Sequence, residues 1–267
     1  MRALVVCNLR SRWRSLLALT TGCFLLLIVL AGTYSAYGGA AGFSRSFGNG
    51  NAPRLLSAFS GSDSGDIFSP AHFLAFGFGH PLFLVLALSV AITIGVAAVA
   101  NDVETGRAEL IFTAPIARSR VLDSRLVEWG FAQVVVVLGA VVGALIGSRL
   151  SHDLQTVSVL VPPRVAVQFA SLAFFVGAVA FAASVRAATR GTAFAVAVGV
   201  TAGSYVLNLI ALLWHPLAFA QRINPFGYYA PTNAAAHVHW SDAGVLFAAG
   251  AVLIALAHRW LRDRDLA

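Results

Sequence analysis

The chain has 267 residues, of which 58% are hydrophobic and only 11% charged, whereas a soluble domain carries about 25% charged residues. So few charges cannot coat a water-soluble core, and lipid must cover much of the surface. All 18 basic residues are arginine: without lysine the chain cannot hold a standard P-loop or run lysine Schiff-base chemistry, and its net charge of +7 lies in short clusters beside apolar runs, a topology signal rather than a nucleic-acid footprint.

In chain order, residues 1–14 come first. Leu4, Val5, Leu9, Trp13 and Leu16 share one helical face with Arg10 and Arg14 beside it, which reads either as a short helix lying on the membrane surface or as a plain basic anchor. Apolar runs of the ~20 residues that a span requires follow at 15–37, 74–100, 127–147, 165–185, 192–214 and 243–260. His80-Pro81 marks either a kink in the second run or its true start. The first run also has the order of a secretory leader, arginines and then small residues around 36–41, but it exceeds the ~7–15 apolar residues of such leaders. Residues 38–70, rich in Gly and Ser, read as an external loop in which Asp63 and Asp66 are solvated. Cys7 and Cys23, the two cysteines, support neither a disulfide framework nor a zinc site.

The expected fold is therefore all-α: a polytopic membrane protein with six transmembrane helices, an N-terminal interfacial helix and one membrane domain over 1–267. Six spans put both termini on one side. Thirteen arginines lie at the termini and in the second-to-third and fourth-to-fifth connections, against five on the opposite side, so the positive-inside rule places both termini in the cytoplasm.

The connection at 101–120 is the most charged stretch. It holds Asp102, Glu104 and Glu109, with Arg107, Arg118 and Arg120, around the apolar patch Leu110-Ile111-Phe112 and a stop at Pro115. A short segment with a charged and an apolar face is a docking surface, burial supplying affinity and charges the register; the alternative is an ordinary solvated loop. In the order of Glu104, Gly106, Glu109, Leu110, Pro115, Arg118 and Arg120, this run resembles the cytoplasmic coupling segment of the type-2 ATP-binding-cassette (ABC) exporter permeases. The run Asn224-Pro225-Phe226-Gly227-Tyr228-Tyr229 is similar to that family's Pro-Phe-aromatic segment before the last span, and Arg262 to Leu266 to its charged ending.

The resemblance implies a transport subunit, not an enzyme. It binds no cofactor itself; ATP and Mg belong to separate ABC ATPase (nucleotide-binding) subunits. Two permease chains pair as a homo- or heterodimer in the cell inner (cytoplasmic) membrane, and ATPase closure is passed through the coupling segment to helices that expel a substrate, here a lipophilic or drug-like one. Glu104, Arg107, Glu109 and Arg118 would contact the ATPase, with Leu110, Ile111 and Phe112 as the apolar dock. Residues 216–240 would form short helices dipping back as an outer gate, with Pro225, Phe226, Tyr228 and Tyr229 as gate residues; the alternative there is a simple aromatic belt. The reading from another class is a non-transporting membrane anchor or assembly protein.

Other polar residues fall inside spans. Glu128 reads as a snorkelling or Arg125-paired carboxylate rather than a proton relay. Gln133, Gln168, Tyr205 and Asn208 read as interhelical hydrogen-bonding groups, with Tyr205 and Asn208 the candidates for a substrate path. His215, His237 and His239 lack the converging ligands of a metal site, so no metal is expected.

Overall fold

Between Arg2 and Gly22 no proline or glycine interrupts the chain, and the first helix, α1, runs unbroken over Arg2–Ala36. At 1.5 Å per residue it is about 52 Å long. The separate surface helix expected over 1–14 is thus the beginning of the first span's helix, because nothing in the sequence breaks the hydrogen-bond ladder between them. The computed structural model describes residues 2–48, 58, 68–107 and 118–263, with residues 2–11 and 118 described as backbone alone.

The chain leaves α1 through Gly38 and Gly39, at φ of 84° and 66°, a left-handed turn that glycine makes without a Cβ penalty. It folds back as α2 (Gly39–Phe47), whose Phe43 packs on Tyr34 at 5.7 Å and Phe73 at 4.9 Å between ring centroids. The loop expected over 38–70 therefore begins as a helix, held by aromatic stacking that carries no periodic signal.

The second apolar run is two helices, α3 (Pro70–Gly79) and α4 (Pro81–Val96), bent 45° at His80. Both open on proline, whose fixed φ and missing N–H suit a first helical position. Pro81 also forces His80 out of the helical region, to φ −61° and ψ 131°, where its Nδ1 accepts from Leu82 N at 3.3 Å. His80-Pro81 is thus both a 45° bend and the start of a new helix, so both readings of the pair stay open. A short helix, α5 (Ala100–Glu104), follows α4.

The remaining long helices are α6 (Arg118–Leu150), α7 (Val161–Arg186) and α8 (Arg190–Leu213). Two 3-10 turns, His215–Arg222 and Pro225–Tyr228, lead to the short α9 (Pro231–Ala234) and the final α10 (Trp240–Asp263). No strand occurs among the described residues. Five helices are long and apolar enough to cross a bilayer, six if the bent α3–α4 pair counts as one span. The chain is a multi-pass helical membrane protein.

At the centre stands α7, which touches α3, α4, α6, α8, α9 and α10. Its apolar stretch is 72% buried, against 17% for α1 and for α8, so those two lie at the periphery. On one flank α1 runs parallel to α6, with Gly139, Gly143 and Gly147 along the seam. A Cβ on Gly143 would stand 2.6 Å from the carbonyl oxygen of Phe24. Backbones that close need small residues, the packing mode of helices that lack a hydrophobic driving force between them.

Candidate functional site

The starts of α1, α6 and α8 and the ends of α4, α7 and α10 meet at one end of the bundle, and most of the charge that the sequence concentrates around 101–125 gathers there. Asp102 and Glu128 are buried, 3% and 1% exposed. Arg125 on α6 joins them, with Nη2 at 3.5 Å from Asp102 Oδ2 and Nη1 at 3.3 Å from Glu128 Oε2. Arg107 approaches Asp102 at 3.4 Å from the exposed side, and Arg12 of α1 lies 3.8 Å from Glu128. Isolated, such carboxylates are expensive in an apolar setting; paired, each acts as a tie between helices. Nearby, His258 Nε2 meets Asp123 Oδ1 at 2.9 Å, and the Arg186 guanidinium lies 4.8 Å over the Trp260 ring.

The joint between α4 and α5 is fastened from the side. Ser184 of α7 donates to Val96 O at 2.8 Å and accepts from Val99 N and Ala100 N, each at 3.0 Å. One hydroxyl thereby satisfies three backbone groups freed by the helix break, groups that buried structure cannot leave unpaired. About one turn further on, Glu104 Oε2 accepts from the backbone N–H of Arg190 at 2.8 Å. Arg190 is the first residue of α8, so the carboxylate caps that helix at its positive end, beside Thr189 Oγ1, which accepts from Thr192 N.

The sequence-derived coupling residues are thus distributed as follows. Glu104 holds α8, and Arg107 holds Asp102 and donates to Thr105 Oγ1. Gly106, at φ +69° with none of the described residues within 4 Å of a Cβ placed there, turns the chain out of α5. Arg118 begins α6, and Arg120 is exposed in its first turn. Glu109, Leu110, Ile111, Phe112 and Pro115 lie outside the described residues, as does the Arg118 side chain.

At the opposite end, residues 215–234 fold as the three short helices already described and are pinned to the bundle by side chains. Asn224 Nδ2 donates to Ser204 O at 2.7 Å while its Oδ1 accepts from Phe226 N at 2.9 Å. Gln168 of α7 donates to Tyr228 O at 2.7 Å, and the Tyr229 hydroxyl donates to Phe78 O at 2.9 Å. The segment therefore has fixed hydrogen-bonded seats on α3, α7 and α8. Pro225 opens the turn that presents Phe226, which is 3% exposed.

Phe226 meets Tyr205 of α8, ring centroids 5.4 Å apart at 71°. Both line a cavity of about 340 Å³ between α4 and α8, with Leu84, Val85, Leu88 and Ile92 on one wall and Phe194, Val198 and Thr201 on the other. A residue picked from the sequence for a gate and one picked for a substrate path thus meet at the same hollow. Asn208, also buried, lies one turn beyond Tyr205 on α8.

Of the in-span polar groups read as interhelical hydrogen-bonding residues, Gln168 makes such a contact, to Tyr228 O of the short 225–228 helix. Glu128 is paired with Arg125, as its i, i+3 spacing implies. Among the described residues, Gln133 finds no hydrogen-bond partner for either amide atom, and Tyr205 Oη and Asn208 Oδ1 have none. Sequence reasoning missed Ser184 as a fastener, Asp102 as the hub of the charged end and Arg190 as the partner of Glu104. Among the described residues no cluster of three or more metal-ligating side chains occurs. His237 and His239 stand 4.4 Å apart between ring centroids. Compared with known proteins, the chain matches no family model and no curated protein.

Proposed function

We propose that this chain is the membrane-spanning permease subunit of an ATP-driven exporter, working with separate ATPase subunits and a second permease chain. The supporting observation is one continuous connection. The charged stretch after the second span ends its ordered helix at Glu104; Glu104 caps α8; and α8 is a wall of the cavity that Phe226 closes. Force applied to that stretch by a partner therefore has a direct route to the cavity wall. In this reading the charged end faces the cytoplasm of a bacterial inner membrane, the segment 101–120 docks on the ATPase, and the segment 216–240 is the outer gate.

The test is co-purification with the soluble ATPase, followed by ATP-driven efflux in vesicles. Glu104→Arg removes the charge-assisted hydrogen bond to α8, and such bonds contribute about 1.5–3 kcal/mol. The variant is expected to keep the ATPase bound while efflux falls about tenfold or more. If no ATPase accompanies the chain and no transport depends on ATP, the protein is a membrane anchor instead.

A further inference from the structure

We infer that His258 and Asp123 form a proton-operated clasp between the end of α10 and the start of α6, closed while the imidazole is cationic and open once it is neutral. The inference holds for whatever the chain does in its membrane and does not depend on an ATPase.

The bonding partners decide the protonation. His258 Nδ1 lies 2.9 Å from Ile254 O, and Nε2 lies 2.9 Å from Asp123 Oδ1. A carbonyl oxygen and an ionised carboxylate only accept hydrogen bonds, so both ring nitrogens must donate, and imidazole does so only as the cation. Shifting the Nε2 proton onto Asp123 would keep that bond, and the pair would still hold the proton. Losing it to solvent leaves one N–H for two acceptors and turns the lone pair of the other ring nitrogen against an oxygen. The ordinary titration of histidine falls between about pH 5 and 8, and His258 is the only histidine on α6, α7 or α10. The other charges of this corner are Arg259, Arg262 and Asp263 on α10, Arg120 on α6, and Arg186 on α7, which lies over Trp260. Arg125 and Glu128 of α6 are engaged with each other. The turn at 225–228, which α10 also touches, belongs to the opposite end.

Position gives the clasp its leverage. The helix α10 packs broadly on α7 and only lightly on α6, and among the described residues no other hydrogen bond or ion pair joins α6 to α10. Asp123 and Arg125 are two positions apart, about 200° around the helix, so they brace α6 from nearly opposite sides. Arg125 ties it to Asp102 of α5, with a guanidinium that keeps its charge at every physiological pH. Asp123 ties it to α10 through a group that switches. The charged segment 101–120 runs into this same helix. Upstream, that segment is fastened by the Ser184 hydroxyl, which does not titrate in this range. Downstream, it is held on the α10 side only while His258 carries its proton. The clasp is therefore present at low pH and is lost as the pH rises through the His258 titration, leaving α6 braced from the α5 side alone.

The experiment uses the full chain in lipid nanodiscs without an ATPase, with Cys7 and Cys23 replaced by serine. Spin labels at Val127→Cys and Ala255→Cys, both exposed and uncharged sites, report the distance between α6 and α10, with unlabelled chain in excess so that the two labels of one copy are read. Magnetic resonance of isotope-labelled histidine, in which His258 is identified by its loss in His258→Gln, reports the titration. From about pH 5.5 to about pH 8.5, the longer-distance population is expected to rise about two- to fivefold, the worth of a partly exposed ion pair, with the same midpoint as the His258 titration. His258→Arg, a permanent cation, should keep the short distance at both pH values, and Asp123→Ala should show the long one at both. A distance that stays constant while His258 titrates, or one that changes equally in His258→Arg, would overturn the inference. Neither readout involves ATP, so failure here is distinct from failure of the co-purification test.

Discussion

Arg125 is the side chain on which the charged end turns, because among the described residues it alone forms ion pairs with both buried carboxylates. Removing one partner of a buried pair costs about 3–5 kcal/mol, much of it from the charge left behind. Arg125→Ala is therefore expected to lower stability by about 3 kcal/mol, followed by denaturant unfolding in detergent. Adding Asp102→Asn, which removes one of the stranded charges, should restore part of it in a double-mutant cycle; strict additivity would show that the two do not interact. At this scale the sequence is readable only at short range. Arg125 and Glu128 are one helical turn apart, and their pairing follows from spacing. Asp102 reaches Arg125 across 23 positions and Glu104 reaches Arg190 across 86, and no local pattern signals either contact. Tyr205 and Phe226 each carried a separate signal, an aromatic hydroxyl inside a span and a Pro-Phe turn, while their meeting at one cavity depends on how α8 folds back.

Among the elements, the α1–α6 seam depends on closest approach. Gly143→Leu would push a branched side chain into the Phe24 backbone, and overpacking of this kind costs about 1–3 kcal/mol or more; a lower melting midpoint in detergent should report it. Gly199 on α8 is the control: nothing lies within 4 Å of a Cβ placed there, so Gly199→Leu should leave the midpoint of the isolated chain unchanged. Equal effects at the two sites would contradict the packing described. The long apolar runs made the spans legible, and proline chemistry made the bend at His80 legible. What stayed hidden was continuity and folding-back. The helix does not stop between residues 14 and 15, since polarity changes there while helix propensity does not, and α2 is fixed by rings from three separate segments rather than by its own periodicity.

For the whole molecule, the arrangement of helices fixes a topology that labelling can read. In a background with Cys7 and Cys23 replaced by serine, Arg120→Cys and Asp263→Cys should react with a membrane-impermeant maleimide from one face, and Val159→Cys from the other. In the proposed orientation the first two are reached only after the cell membrane is opened. Labelling of Arg120→Cys in intact cells would remove any route from ATP hydrolysis to the segment. Composition alone carries the conclusion that lipid surrounds this bundle, and arginine asymmetry carries only the proposed orientation, which this labelling would test. The central place of α7 was not legible, because a buried span and a lipid-facing span are equally apolar.

The hydroxyl of Ser184 has one further consequence. With three backbone atoms bound to a single oxygen, the stub formed by residues 96–104 cannot swivel on its own; it is riveted to the rod that runs through the middle of the bundle. The first pivot lies beyond it, at Gly106, where the backbone adopts a left-handed angle and none of the described residues crowds it. Under the proposed function, a push from an ATPase would thus meet a rigid crank rather than a soft hinge. Stiffening the pivot with Gly106→Ala, which strains that angle by about 1 kcal/mol, should alter how the push is received while leaving the crank itself intact.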